Sequence, residues 1–149
     1  RYAAAGHDYG QVAEYVRGLV PRLRVMFVVD TLEYLHKGGR IGGAKRLVGS
    51  VLSIKPVLHI ENGQIEPLAS VRTKSKAIAH MIEVVLGEMQ GKQDIHAGII
   101  HAGAPNDAAY IKQQILAAVQ PQELLVNELT PVLGANVGPG VVGMGYYTE

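Results

Sequence analysis

The pair Asn62-Gly63, set between two apolar runs, constrains the fold more than any other feature of the chain. Both positions tolerate positive φ, and Asn-Gly is the preferred pair for a two-residue hairpin turn. The flanking runs, Ile54 to Ile60 and Ile65 to Val71, should therefore be antiparallel neighbours. Pro67 lacks an N–H to give a ladder, so the second run belongs on an edge or at a bulge. A purely parallel sheet is excluded by this one turn.

Strand and helix signals alternate around the hairpin. Asp8 followed by Gln11 spells a capping box, and Val12, Tyr15, Val16 and Leu19 keep helical spacing until Pro21 ends it. Val25 to Val29 is a continuous apolar run, the pattern of a strand buried on both faces. Asp30 and Glu33 spell a second capping box, opening a short helix with Leu32 and Leu35 that stops at Gly38. Ala44, Leu47, Val48, Val51 and Leu52 predict an apolar helical stripe, and Ile78, Met81, Ile82, Val85 and Met89 a longer one. Ile95 to Ile100 reads as a strand, and Pro105 to Val119 as a helix with proline in its first turn. Leu124 to Leu129 and Val141 to Tyr147 read as the last strands, joined by a glycine-rich loop. The expected fold class is α/β in an α+β-like arrangement, with about six strands in a mixed sheet and four or five packed helices.

A chain of 149 residues can bury one sizeable core, and no internal domain boundary is visible. The formal net charge of +1, with scattered basic residues, one Phe and no Trp, argues against a nucleic-acid surface. Without cysteine there is no disulfide, thiolate nucleophile or cysteine metal site, which fits a cytoplasmic location. No apolar run is long enough to span a bilayer, so an integral membrane protein is not expected. The chain opens at Arg1 and reads as the C-terminal part of a longer protein.

Lys37 to Gly43, KGGRIGG, crowds four glycines around Arg40 and Ile41. Such clusters mark sharp turns or close approaches of backbone, and a lone cation there suits an anionic group. Gly138 to Gly143 spells G-x-G-x-x-G, but the motif needs a following helix, and here a strand and the chain end follow. A tight turn is the better reading. The six histidines lack metal-site spacing, and His96 and His101, if on one strand, face opposite ways. No serine stands in a nucleophile elbow, and no carboxylate pair suits acid–base work. No metal, cofactor or catalytic residue is expected.

Phe27 to Ile78 closely resembles the C-terminal domain of the DegV family of bacterial fatty-acid-binding proteins. The resemblance lies in the order of its parts: an apolar strand, D-T-L-E-Y-L-H-K-G-G-R-I, G-S-V-L-S-I-K-P, a hairpin, then V-R-T-K-S-K-A. The closing G-P-G-V-V-G resembles the family's last motif. The resemblance implies a largely antiparallel six-stranded sheet that encloses the acyl tail of a long-chain fatty acid. It implies a separate N-terminal domain whose hydroxyls hold the carboxylate, and a fatty acid kinase partner to which the lipid is presented. Arg40 matches the family's arginine near the head group. Asn136 stands where the family often has histidine, so no ionisable group occupies that position.

The site expected from the resemblance and the two glycine loops has three parts. Arg40 and Asn136 lie at the head group. Leu32, Leu35, Ile41, Leu47, Val48, Val51 and Met144 line the tail, and Gly38, Gly39, Gly42, Gly138 and Gly140 supply loop backbone. An enzyme acting on an acyl or phosphorylated substrate, and an interaction domain without lipid, are the alternatives.

Overall fold

The computed structural model describes residues 2–49 and 54–148. The Asn-Gly turn forms as its residue types require, with φ of +50° at Asn62 and +76° at Gly63. It joins β2 (Lys55–Glu61) to β3 (Gln64–Val71), and β3 lies at one edge of the sheet. The register steps from Val57↔Ala69 to Leu58↔Pro67, leaving Leu68 as the extra residue of a bulge beside Pro67.

The other strands are β1 (Arg24–Val28), β4 (Ile95–His101), β5 (Glu123–Glu128) and β6 (Val142–Thr148). Their order in the sheet is β3-β2-β1-β6-β4-β5. Among the described residues only β4 and β5 pair in parallel; the remaining neighbours are antiparallel. β1, β3, β4 and β5 consequently run one way, and β2 and β6 run back.

Helix α1 (Tyr9–Leu19) begins with the expected capping box: Gln11 N–H donates to Asp8 Oδ1, and Asp8 N–H donates to Gln11 Oε1, each at 3.0 Å. Its apolar spacing does not lead to burial, since none of its residues is buried. α3 (Lys74–Met89) and α4 (Pro105–Ala118) cover one face of the sheet. Ile78, Met81, Ile82 and Val85 of α3 and Ile111 and Ile115 of α4 meet Met26, Val28, Ile99 and Met144 there.

The opposite face carries α2 (Glu33–Lys37), a 3₁₀ segment (Gly42–Leu47) and α5 (Pro131–Val137) at one end only. There Leu35, Ile41 and Ala44 close over Phe27, Val29, Leu58 and Val141.

Three sequence expectations are corrected. The Asp30 capping box does not form: α2 starts at Glu33, whose N–H donates to Thr31 Oγ1 at 3.2 Å. The Asp30 carboxylate turns instead to two lysines. The stripe expected from Ala44 onward is a short 3₁₀ segment ending at Leu47, with Val48 extended and exposed; Val51 and Leu52 lie outside the described residues. The loop before the last strand contains α5, which has proline in its first turn and Gly138 just past its end.

Candidate functional site

The two glycine loops meet. Gly38 ends α2, and a Cβ there would lie 2.7 Å from Asn136 Oδ1 of α5. Gly138 ends α5 with φ +85°, and a Cβ there would collide with the Tyr34 ring of α2. Both glycines are therefore contact surfaces between two short helices that lie over one end of the sheet. Asn136 Nδ2 donates to Val132 O at 2.8 Å, which aims the amide oxygen at the α2 side of this seam. Gly42, with φ +51°, lies so close to Ile65 that a Cβ would strike its backbone. Half of the KGGRIGG cluster thus lets the chain pack on β3, and the other half builds the seam.

Arg40 stands exposed between these halves, and its backbone N–H donates to Leu35 O at 2.9 Å. Among the described residues its guanidinium makes no hydrogen bond or ion pair. An uncommitted guanidinium beside helix ends is suited to a carboxylate or phosphate, which it can grip with two parallel hydrogen bonds.

A charged cluster holds the closing glycine loop in place. Lys74 Nζ, at the start of α3, donates to Gly140 O at 2.5 Å and lies 2.8 Å from Asp107 Oδ2 and 3.6 Å from Asp30 Oδ2. Lys55 Nζ donates to Asp30 O at 2.8 Å and to its carboxylate at 3.4 Å. Gly140 has φ +80°, and a Cβ there would collide with the Asp30 carboxylate. β1, β2, α3, α4 and the turn into β6 are all tied together at this point.

The expected tail-lining residues separate into groups. Leu32, Leu47 and Val48 line a groove of about 380 Å³ together with Asp30, Thr31, Glu33, His36, Gly49 and Ile54. This groove is polar along one side. Lys37 grips Glu33 at 2.6 Å and holds its carboxyl below the usual range, mainly through that hydrogen bond. Leu35 and Ile41 are buried in the cluster beneath α2 and offer little surface. Met144 lies on the opposite face of the sheet, against α3 and α4, and is not brought together with the others. Val51 is outside the described residues.

A second feature lies on the face that α2 and α5 only partly cover. Register places Gly98 opposite both Leu125 and Gly145, and Gly145 opposite Val25. The adjoining row pairs Ile100 with Gly143 and Gly143 with Phe27. The result is a trough with glycine on its floor and Val25, Phe27, Ile100 and Leu125 along its length. A Cβ on Gly98 would meet nothing within 4 Å among the described residues, and one on Gly145 would touch only Arg24 O and Val25, both at 3.7 Å. From the seam at Val141 to Tyr147 the strand spans six steps, roughly 20 Å, the reach of a long alkyl chain.

Sequence reasoning missed this floor. The available signal was glycine at period two, Gly143 and Gly145, inside an apolar strand, which marks close approach of backbone or ligand. Among the described residues no group of three or more His, Asp or Glu could hold a metal ion. No described helix is long and apolar enough to cross a membrane.

Comparison with known proteins places this architecture. The profile of the DegV family, described as uncharacterised protein, matches residues 1–149. A DegV domain-containing protein of Halalkalibacterium halodurans is 34% identical over 144 residues, covering 97% of this chain and 51% of that protein. One from Streptomyces coelicolor is 43% identical over 119 residues, covering 79% of this chain and 42% of that protein. Among solved structures, a DegV family protein from Thermus thermophilus described for its fatty acid binding superposes with a TM-score of 0.90. It is 33% identical, covering 99% of this chain and 53% of that one. DegV of Bacillus subtilis, described as a fatty acid binding protein, gives 0.80 at 28% identity, covering 99% and 52%. The chain thus spans about half the length of the relatives it matches. Its six-stranded mixed sheet, its two facing glycine loops and this match along its whole length show that the chain belongs to the DegV family.

Proposed function

We propose that this domain binds a long-chain fatty acid, with the alkyl tail along the glycine-floored trough and the carboxylate at the α2–α5 seam near Arg40. One observation carries the reading: an apolar sheet face keeps its centre open by placing Gly98 and Gly145 where side chains would otherwise fill it. The fatty acid binding described for the Thermus thermophilus and Bacillus subtilis proteins supports the choice of ligand.

The physics agrees with a tail-driven site. Each buried methylene contributes about 0.8 kcal/mol. A long chain therefore gains on the order of 10 kcal/mol before the loss of translational and internal freedom is subtracted. The carboxylate must be compensated, because burying it unpaired opposes binding. Arg40 supplies one partner, and hydroxyls of a second domain, expected from the family resemblance, supply the rest. Binding and presentation, with no chemistry on this chain, is the role inferred. A fatty acid kinase would receive the head group at the seam.

Two measurements test the reading. Mass spectrometry of an organic extract of the natively purified full-length protein should find a long-chain fatty acid. A protein that carries none, and takes none up when offered, would refute the proposal. Arg40→Ala should leave the fold intact, since the side chain is exposed, and weaken fatty-acid retention by about tenfold, the scale of one charge-assisted contact. Unchanged retention and unchanged kinase transfer would remove Arg40 from the head-group site.

A further inference from the structure

A cavity of about 740 Å³ lies at the end of the trough away from the seam. Two residues beyond Gly98 and Gly145 on the same face come His96 and Tyr147, paired in register. Their rings stack with centroids 4.8 Å apart and planes within 12°. These are the first large side chains on that part of the floor once the glycines end. His96 is buried, with Nδ1 3.7 Å from Glu123 Oε2 of the neighbouring strand.

Opposite the rings, Val12, Tyr15 and Val16 of α1, together with Tyr2, form a roof. Tyr2 is held between His7 and Tyr15, with ring centroids 3.7 and 4.2 Å away. The helix has no buried residue, so it stands off the sheet and leaves the space open. Aromatic walls around an apolar opening of this size match the ordinary dimensions of a small-molecule site.

We propose that this chamber receives the methyl end of the alkyl chain, and that the His96–Tyr147 pair sets the chain length the protein accepts. The inference rests on the fatty-acid reading above and adds a specificity determinant to it. A chain lying on glycine meets no obstacle until the stacked rings, and its last methylenes are sheltered only where α1 roofs the trough. Lowering the floor should admit more methylenes, and lowering the roof should admit fewer.

The test uses full-length protein, stripped of lipid and offered an equimolar mixture of saturated fatty acids from myristic to arachidic, with bound chains identified by mass spectrometry. Tyr147→Ala should move the bound distribution to longer chains, changing the long-to-short ratio by about tenfold for two added methylenes. Val12→Phe, a substitution on a helix with no buried residue, should move it to shorter chains and serves if Tyr147→Ala fails to fold. If the wild type holds fatty acid and the variants that fold bind the same distribution as wild type, or shift the other way, the end-wall inference is overturned while the fatty-acid reading stands. If the wild type binds none of the mixture, the fatty-acid reading fails and this inference goes with it.

Discussion

Replacing Gly98 with valine is expected to abolish most fatty-acid binding while leaving the fold as stable as before or more so. Gly98 sits on β4, between β6 and β5, with its missing side chain aimed into the trough. Nothing among the described residues lies within 4 Å of the Cβ position, so the added atoms enter open space. Valine also suits a strand better than glycine, by about 1 kcal/mol. The gain in stability and the loss of binding thus come from the same methyl groups. Lifting even three methylenes of the ligand off the floor removes about 2.4 kcal/mol, more than tenfold in affinity. A titration of delipidated full-length protein, paired with thermal melts, measures both. Normal affinity in a stable Gly98→Val protein would place the tail somewhere other than this face.

Gly143→Ala should do the reverse and damage the fold itself. Gly143 faces the same side of the sheet on β6, between β1 and β4. A Cβ there would lie 2.5 Å from Phe27 Cβ and 2.7 Å from Met26 O. Neither atom can move without shifting β1, so the contact cannot be relieved by rotating a flexible side chain. Overpacking of this kind costs about 3 kcal/mol, which lowers the melting temperature by roughly 10 °C in a chain of this size. Denaturant unfolding of wild type and variant checks it. A loss under about 0.5 kcal/mol, the range of an ordinary surface substitution, would mean that the two strands are further apart than described. Two glycines on one sheet face thus serve different ends, Gly143 for strand packing and Gly98 for open space.

Much of the fold was legible because its signals are local. The Asn62-Gly63 turn, the Asp8–Gln11 box, the proline opening α4 and the spacing of Ile78, Met81, Ile82 and Val85 each act within a few residues. Each led to an element at its expected place, with strand ends moved by one residue. Pro67 was also informative, since a missing donor excludes the middle of a sheet wherever the chain goes.

The misreadings have a common cause in long-range competition. Asp30 has the right spacing to cap α2, yet Lys55 and Lys74 approach from residues 25 and 44 positions away and take its carboxylate. α5 is short and contains glycine and asparagine, which are poor helix formers. It is packed through Gly138 on Tyr34 and through Asn136 on Gly38, contacts that unite segments about a hundred residues apart. The stripe that starts at Ala44 stops being helical at Leu47, where the 3₁₀ segment is committed to β3 by the close approach of Gly42 to Ile65.

By itself the sequence determined the alternation of elements, the antiparallel hairpin and the resemblance that led to the DegV family. These depend on residue type and spacing, which act along the chain. Which glycines pack and which leave space, which side of the sheet Met144 faces, and where Asp30 finds its charge partners were decided only in the tertiary structure. The reason is that register brings residues together across strands, and no local preference encodes what will stand on the other side of a gap.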